Sequence, residues 1–347
     1  MALLVLAGCG GEPSPTESAE KPRTEKATPE ESAAPSETPS ELPGEAASES
    51  SATDGLPPVR NRVSLPALMR EEFPGSRIRR QRLVLANEAY TRHEVTYRSG
   101  DLTVSGVLLK PRGRGPFPAV VLNHGYIEPS IYVTGQGLMR EQDYLARVGF
   151  VVLHTDYRGH AASDPASDRD REARLGYTQD TINAVQAVKK ERYVDPERVA
   201  MLGRSMGGGV TYNALVAKPG LVKAAVVFAP VSSDFVDNFN RWTVAERPDA
   251  AAATYRRHGR PKQEPEFYRG LSARTYFDRI TEPVLIHHGT LDDSCPIAWS
   301  RETQRLLRRA GVDSRLEIYR GEQHAFGPQW PLSMDRTVRF LRRELRG

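Results

Sequence analysis

One stretch of the sequence, Arg198–Gly209 (RVAMLGRSMGGG), combines a serine with several closely spaced glycines. The run Val199–Leu202 is apolar and predicts a short buried strand, and the G-x-S-x-G pattern that follows places Ser205 on a sharp turn. A β-carbon at Gly203 or Gly207 would collide with the adjoining strand and helix, so both positions are expected to require glycine. The stretch therefore predicts a nucleophilic serine whose hydroxyl is exposed between a strand and a helix.

Other motifs could use the same glycines, or Ser205 could lie in a glycine-rich turn by chance. The stretch lacks the Gly-Lys-Ser/Thr of a P-loop, and its glycine spacing differs from the dinucleotide fingerprint. Acyl transfer remains, and it requires a base, an acid and donors for an oxyanion. A helix predicted to begin at Met206 directs its positive end at the site, so the Met206 backbone N–H is a predicted oxyanion donor.

The base and the acid are expected on loops that follow later strands, because open parallel sheets place their chemistry at the carboxyl ends of the strands. His324 follows the last predicted strand and precedes the last predicted helix. Asp292 and Asp293 lie on the loop after an apolar run that begins at Val284. Ser205, His324 and one of the two aspartates therefore form the predicted triad. The chain order serine, aspartate, histidine is that of the α/β-hydrolase fold.

A second oxyanion donor is expected from the loop after the third predicted strand, where the sequence reads Asn123-His-Gly-Tyr126. We assign the backbone N–H of Tyr126 to this role and interpret His124 as a ring that braces the loop. No metal or cofactor is predicted. The sequence lacks an H-E-x-x-H motif, and the adjacent His287 and His288 would point to opposite faces of a strand.

Hydrophobic periodicity predicts the elements that position these loops. Alternating apolar and polar residues on both sides of the turn 99–101 predict an antiparallel hairpin, and short apolar runs after it alternate with helical patterns. The predicted strands are 92–98, 102–109, 119–122, 150–153, 198–202, 224–228, 284–287 and 315–319. The predicted helices are 66–73, 136–147, 178–191, 206–217, 297–310 and 333–345. The alternation predicts an α/β fold with a mostly parallel central sheet and helices on both faces.

Residues 231–278 interrupt this alternation without a clear strand pattern. Long insertions in compact domains are usually functional or mobile. The aromatic residues of the segment are Phe235, Phe239, Trp242, Tyr255, Phe267 and Tyr268. Two interpretations remain open: the insertion is a lid over the serine, or its aromatic side chains pack on the edge of the sheet.

Charge is distributed unevenly along the 347 residues. Residues 11–55 are mostly Ser, Thr, Pro, Glu, Ala and Gly, with eleven acidic and three basic residues, a composition that predicts disorder. Residues 56–347 carry 45 basic and 33 acidic residues. This excess favours a solvated arginine-rich surface, with anionic lipid or an acidic substrate as alternatives. Basic runs interleaved with aromatic residues are missing, so no nucleic-acid partner is predicted.

The first nine residues form an apolar stretch ending in Leu-Ala-Gly-Cys9, which resembles the lipobox of bacterial lipoproteins. The stretch is too short to cross a bilayer. The resemblance implies cleavage before Cys9, a lipid on that cysteine, and an exported protein anchored to the membrane through the acidic tether. Cys295 would then have no disulfide partner. No Lys or Arg precedes the apolar run, and if the resemblance is accidental the expected location is cytoplasmic.

From about Leu83 onward the sequence resembles the catalytic domain of the prolyl oligopeptidase family and the related dienelactone-hydrolase-like and acyl-esterase proteins. The segments that carry the resemblance are Asn123-His-Gly-Tyr126, Asp156-Tyr-Arg-Gly-His160, Gly203-Arg-Ser-Met-Gly-Gly208, His288-Gly-Thr-Leu-Asp-Asp293 and Gly321-Glu-Gln-His324. In that family the first aspartate of Gly-x-x-Asp-Asp belongs to the triad, which implies Asp292 rather than Asp293. The residues after the tether are too few for the family's β-propeller, so small esters are expected as substrates as well as peptides.

The predicted organisation is a lipobox segment (1–9), a disordered acidic tether (10–57) and an α/β-hydrolase catalytic domain (58–347) that includes the lid-like insertion. The predicted activity is that of a serine hydrolase that cleaves peptide or carboxylic ester bonds through an acyl-enzyme. One alternative is a carboxylesterase for small esters without peptidase activity, and another is a surface-tethered binding protein that keeps the fold without turnover. Ester and peptide hydrolysis pass through the same tetrahedral intermediate, so the residues do not separate them.

Overall fold

One mixed sheet runs through the residues that the computed structural model describes, 55–167 and 173–346. Its strands are β1 (Arg79–Ala86), β2 (Tyr90–Ser99), β3 (Leu102–Pro111), β4 (Phe117–Asn123), β5 (Val151–Thr155), β6 (Val194–Arg204), β7 (Ala224–Phe228), β8 (Val284–Gly289) and β9 (Ser314–Tyr319). They lie in the order β1-β2-β3-β5-β4-β6-β7-β8-β9. Pairing is antiparallel from β1 to β5 and parallel from β5 through β4 to β9.

The strand order reverses at β4. The chain leaves β4 for β5 on one side and returns to β6 on the other. Asn123, the last residue of β4, pairs with Gly203 of β6, so the ends of these two strands lie side by side. The crevice at the carboxyl ends beside such a reversal is where open α/β sheets bind ligands.

Helices cover both faces of the sheet and bury its apolar side chains. The longer helices are Met139–Arg147, Leu175–Lys189, Met206–Ala217, Ile297–Arg309 and Trp330–Glu344, and Leu65–Met69 and Pro129–Ile131 are short. Successive residues of β4 enter different cores: Val121 packs with the helices that carry Val185 and Leu307, and Val120 packs with the helix that carries Leu341. The predicted α/β fold with helices on both faces is confirmed.

The sequence analysis missed β1. Every residue of this edge strand is exposed, so apolar and polar positions do not alternate between core and solvent. Strand prediction depends on that alternation, and pairing with β2 sets the strand instead. The helix predicted at 66–73 is shorter than expected. It begins after Ser64, whose hydroxyl accepts the Ala67 N–H at 3.2 Å, and ends at Met69.

The insertion 231–278 forms short helices. They are Phe235–Asn238, a π-helical turn Phe239–Val244, Pro248–His258, Pro265–Arg269 and a 3₁₀ segment Ala273–Arg279. Most of its aromatic side chains contact one another, namely Phe235, Phe239, Tyr255, Phe267 and Tyr268. Trp242 instead packs edge-on against Trp299, with ring centroids 5.7 Å apart.

The apolar segment with Cys9, and the acidic stretch up to residue 54, lie outside the described residues. All described residues fall in the unit Ser51–Gly347. Among residues 55–167 and 173–346, no helix has the length and apolar character needed to cross a bilayer.

Candidate active site

Ser205 occupies the turn between β6 and the helix Met206–Ala217. Its backbone has φ 55° and ψ −120°, a conformation that costs a residue with a β-carbon about 1–3 kcal/mol. The Ser205 N–H donates to the carbonyl of Phe228 at 3.0 Å and stabilises the turn. A β-carbon at Gly203 would lie 2.3 Å from a backbone oxygen of the elbow helix, and one at Gly207 would lie 2.0 Å from a backbone oxygen of β4. Backbone therefore occupies both places where a larger residue would need space.

The loop after β8 carries Asp292, the loop after β9 carries His324, and the structure brings the two side chains into contact. Nδ1 of His324 lies 2.9 Å and 3.0 Å from the two carboxylate oxygens of Asp292. A neutral ring that donates its Nδ1–H to a carboxylate keeps the Nε2 lone pair to accept a proton. The neighbouring Asp293 is exposed, and its carboxylate accepts a 3.4 Å hydrogen bond from the Ser294 hydroxyl. Asp292 is thus the aspartate that contacts the predicted base.

Further donors hold the Asp292 carboxylate in place. The backbone N–H groups of Ser294 and Cys295 donate to Oδ1 at 3.0 Å and 2.8 Å, and Nε2 of His288 lies 3.2 Å from Oδ2. Burial alone would raise the pKa of Asp292, but hydrogen bonds from the two histidines and the Cys295 N–H hold that pKa well below its usual range. The carboxylate is therefore ionised at neutral pH and fixed behind the His324 ring.

His288 is a supporting residue that the sequence analysis did not assign. It is fully buried on β8, and its Nδ1 lies 2.7 Å from the Ser300 hydroxyl while Nε2 lies 2.8 Å from the carbonyl of Cys295. His287 contacts Thr337 on the helix of the opposite face, at 3.1 Å, so the two adjacent rings diverge as predicted. The available signal for His288 was its position at the end of a predicted strand, shortly before the acid.

A cavity of about 430 Å³ opens at Ser205. Of the predicted site residues, Tyr126, Ser205, Met206 and His324 line it. Within residues 55–167 and 173–346, the Ser205 hydroxyl forms no hydrogen bond with His324; catalytic hydrogen bonds are often long before substrate binds. The structure therefore brings Ser205 and His324 to one cavity, with Asp292 in contact with the far side of the His324 ring.

The insertion forms part of the wall of this cavity through Trp242, Glu246 and Arg247. Arg241 joins it to the acid loop by donating to the backbone carbonyls of Asp293 and Ser294. The segment thus borders the cavity of Ser205, and its aromatic side chains pack against one another. Movement of the segment as a lid stays a prediction.

The two predicted oxyanion donors lie beside the serine. Met206 is the first residue of its helix, where backbone N–H groups have no acceptor within the helix. A β-carbon at Gly125 would lie 3.2 Å from the Ser205 β-carbon, so the Gly125–Tyr126 peptide passes next to the nucleophile. The Tyr126 side chain turns to solvent, where its hydroxyl donates to Glu128 at 2.6 Å.

His124 braces this loop from within the protein. Its Nδ1 lies 2.6 Å from the carbonyl of Gly125 and its Nε2 lies 3.2 Å from the carbonyl of Asp156. The ring is fully buried and stacks on Tyr132 with centroids 4.8 Å apart. Burial lowers the pKa of His124 to about 3, so the ring is neutral. These contacts are those of a structural residue, in line with the interpretation made from the sequence.

Cys295 is a free, buried thiol next to the nucleophile. Burial raises the pKa of the Cys295 thiol to about 12, although a hydrogen bond with Ser205 acts in the opposite direction. The thiolate is the reactive form of a cysteine, so this side chain is inert at neutral pH.

The strand order, the serine on the elbow after β6 and the histidine–aspartate contact on the loops after β8 and β9 define a serine hydrolase of the α/β-hydrolase fold. The chain belongs to the prolyl oligopeptidase family, whose model matches residues 136–346.

Three proteins illustrate the similarity. The acylamino-acid-releasing enzyme of Rattus norvegicus is 28% identical over 241 residues, which are 65% of this chain and 31% of that enzyme. The acylaminoacyl peptidase of Pyrococcus horikoshii superimposes with a TM-score of 0.56 at 23% identity, over 74% of this chain and 42% of its own. The acetyl xylan esterase of Paenibacillus sp. R4 gives a TM-score of 0.62 at 20% identity, over 81% of this chain and 92% of its own. The chain thus spans about a third of the length of the curated rat enzyme and shares its fold with the Pyrococcus peptidase and the Paenibacillus esterase.

Proposed function

We propose that Ser205 is the nucleophile, His324 the general base and Asp292 the acid of an acyl-enzyme mechanism. The observation that carries the proposal is the 2.9 Å contact between His324 Nδ1 and the Asp292 carboxylate, made by a histidine that shares a cavity with Ser205. The strained elbow and the low pKa of Asp292 support it, because strain and perturbed pKa values are concentrated at functional sites.

In the proposed reaction, His324 Nε2 accepts the Ser205 proton as Oγ attacks the substrate carbonyl carbon. The Tyr126 and Met206 N–H groups donate to the resulting oxyanion, and Asp292 stabilises the imidazolium. His324 then returns the proton to the leaving amine or alcohol as its bond to the carbonyl carbon breaks. Water hydrolyses the acyl-enzyme by the same sequence, with His324 again as base.

For the substrate we propose a peptide or carboxylic ester bond. Membership of the prolyl oligopeptidase family and the likeness to an acylamino-acid-releasing enzyme favour peptides or acylated amino acids. A carboxylesterase limited to small esters is the second candidate, since the triad chemistry is the same for both bonds. A binding protein without turnover would have no use for an intact His324–Asp292 contact beside the cavity of Ser205.

The test is to label the purified protein with a fluorophosphonate and then to compare matched 4-nitrophenyl esters and aminoacyl 4-nitroanilides. We expect stoichiometric labelling and release of 4-nitrophenol, because activated esters need little help from leaving-group protonation. Release of 4-nitroaniline as well identifies a peptidase, and its absence identifies the small-ester esterase. A protein that neither labels nor turns over any substrate is the non-catalytic binding protein, and the proposal is then wrong.

For the location we propose export and a lipid anchor on Cys9. The support is the apolar stretch that ends in Leu-Ala-Gly-Cys9 and the acidic, proline-rich segment that follows it. Cys9→Ser removes the thiol that would carry the lipid, and stable anchoring needs acyl chains. In an exporting bacterial host, this variant is therefore expected to move from the detergent-extracted membrane fraction to the soluble fraction. The kcat is expected to stay unchanged. A wild-type protein that is soluble and begins at Met1 would place the enzyme in the cytoplasm instead.

A further inference from the structure

The cavity at Ser205 is lined by three arginines and one acidic residue: Arg174, Arg204, Arg247 and Glu246. Arg204 has its own acidic partner, because its guanidinium donates to Glu141, which also accepts the indole N–H of Trp330. This arginine therefore has a structural contact that accounts for it.

Neither Arg174 nor Arg247 forms an ion pair with a carboxylate within residues 55–167 and 173–346. Arg174 is half-buried, whereas Arg247 is exposed and donates to an uncharged partner, the Thr243 hydroxyl, at 3.5 Å. Burial lowers the pKa of Arg174, and the positive charge of Arg247 acts in the same direction. A half-buried guanidinium with a second positive charge near it is unfavourable unless an anion joins the two.

The Arg174 side chain is held in place by its surroundings. Its guanidinium lies over the ring of Trp242, 5.9 Å from the centroid, and Trp242 packs edge-on against Trp299. Its backbone has φ 57°, in the left-handed region that residues other than glycine seldom adopt. Such a conformation persists only where the surroundings impose it, and it is found mostly at functional sites.

Arg174 and Arg247 lie between two cavities. Together with Val231 they line both the cavity of Ser205 and a second, smaller cavity of about 50 Å³. That second cavity is bordered by polar side chains, including Asn213, Ser232 and Asn238. A charged group between the two arginines would have polar neighbours on one side and the nucleophile's cavity on the other.

We infer that Arg174 and Arg247 form an anion-binding subsite, and that this enzyme acts on substrates with a carboxylate close to the scissile bond. A guanidinium offers paired N–H donors that match a carboxylate, and two of them converge here on one region. The inference rests on the proposed function, since it assigns the substrate class of the same serine. The carboxylate belongs either to the acyl group or to the leaving group, and the two sources are separated by experiment.

The experiment measures kcat/KM for two matched pairs of esters. Mono-4-nitrophenyl adipate and methyl 4-nitrophenyl adipate differ by one charge on the acyl side, and 4-acetoxybenzoate and methyl 4-acetoxybenzoate differ by one charge on the leaving group. We expect the wild-type enzyme to prefer the charged member of one pair by about tenfold or more, as a charge-assisted hydrogen bond allows. The pair that shows the preference identifies the side that carries the carboxylate. Added salt should weaken it.

Arg174→Gln and Arg247→Gln are expected to bring this ratio close to one, because kcat/KM should fall much more for the charged ester than for the neutral ester. Arg256→Gln is the matched control, because Arg256 is exposed on the same insertion and does not line the cavity. It should keep the wild-type ratio. The rate of fluorophosphonate labelling shows whether each variant retains an intact nucleophile. Arg174→Lys keeps the charge and should therefore retain part of the preference for the charged ester.

Two results would overturn the inference. One is a wild-type ratio of one or less in both pairs, which needs no variant. The other is a ratio that survives in Arg174→Gln and Arg247→Gln while both still label. Either leaves the proposed serine hydrolase in place, provided that the neutral esters are turned over. The proposed function itself is contradicted if the wild-type protein turns over none of the four esters and is not labelled by the fluorophosphonate.

Discussion

Ser205→Ala is expected to abolish ester hydrolysis and fluorophosphonate labelling while the protein stays folded. The change removes one hydroxyl and keeps the β-carbon, so the elbow conformation is unaffected. Loss of the nucleophile in a serine hydrolase lowers kcat by about 10⁶, and a residual rate about 10³–10⁴ above water comes from the oxyanion donors and substrate binding. The measurements are 4-nitrophenyl ester turnover, labelling followed by mass spectrometry, and a thermal melt.

Cys295 supplies the control for this experiment, because its thiol lies next to the Ser205 hydroxyl. Cys295→Ser should still label on Ser205, since burial keeps the wild-type thiol protonated and unreactive. The nucleophile is misassigned if Ser205→Ala still labels and Cys295→Ser does not.

The elbow and the contact between Asp292 and His324 could be predicted from the sequence because their constraints are local or topological. At Gly203 and Gly207 a β-carbon would lie within 2.3 Å of backbone atoms, so glycine at these positions indicates that other backbone passes close to the turn. Asp292 and His324 follow strands of a parallel sheet, and the carboxyl ends of such strands lie at one edge. The sequence order alone then brings together groups that are 32 residues apart and makes their 2.9 Å contact expected.

Other features depend on tertiary contacts that leave no periodic or compositional signal. β1 is exposed along its length and exists because β2 offers it a partner. His288 supports the acid through a side-chain contact across a loop, which strand periodicity does not encode. Arg174 reaches the cavity only because the fold packs the start of the helix Leu175–Lys189 against Trp242 of the insertion. The partner is close in sequence for β1 and for His288 and distant for Arg174, and in none of the three does the contact leave a periodic signal.

The tertiary contacts of residues 231–278 also could not be predicted from the sequence. The absence of a strand pattern correctly predicted a segment without strands, yet the sequence could not decide between a lid and a packed edge. The structure divides the segment: one set of aromatic rings packs internally, while Trp242 and Arg247 face the cavity. Side chains of one insertion can thus serve stability and substrate contact at once, and composition does not tell them apart.

Asp292→Asn is expected to lower kcat by about 10⁴, and Asp293→Asn to leave it within about threefold of wild type. At position 292 the amide carries no charge to stabilise the imidazolium. Its NH₂ group would also face donors, because the carboxylate now accepts from Ser294 N–H, Cys295 N–H and the His324 ring. The ring would then favour the tautomer whose Nε2 carries the proton and cannot accept another.

The same substitution should change the pH dependence of stability. The fold holds the pKa of Asp292 below its value in the unfolded chain, so the ionised carboxylate stabilises the native state above the unfolded pKa, and this contribution is lost as pH falls through the folded pKa. The Tm difference between wild type and Asp292→Asn should therefore be largest near neutral pH and shrink in acid. Asp293 is exposed, and Asp293→Asn should change the Tm little.

Comparing Asp292→Asn with Asp293→Asn tests which aspartate is the acid. The two residues lie on the same loop and receive the same substitution, but only Asp292 contacts His324. Both are measured for kcat on one 4-nitrophenyl ester and for thermal unfolding across the same pH series. A larger loss of kcat in Asp293→Asn than in Asp292→Asn, with both proteins folded, would show that the 2.9 Å contact of the resting enzyme is not the one used in turnover. The acid loop would then have to rearrange when substrate binds, and Asp293 would become the partner of His324.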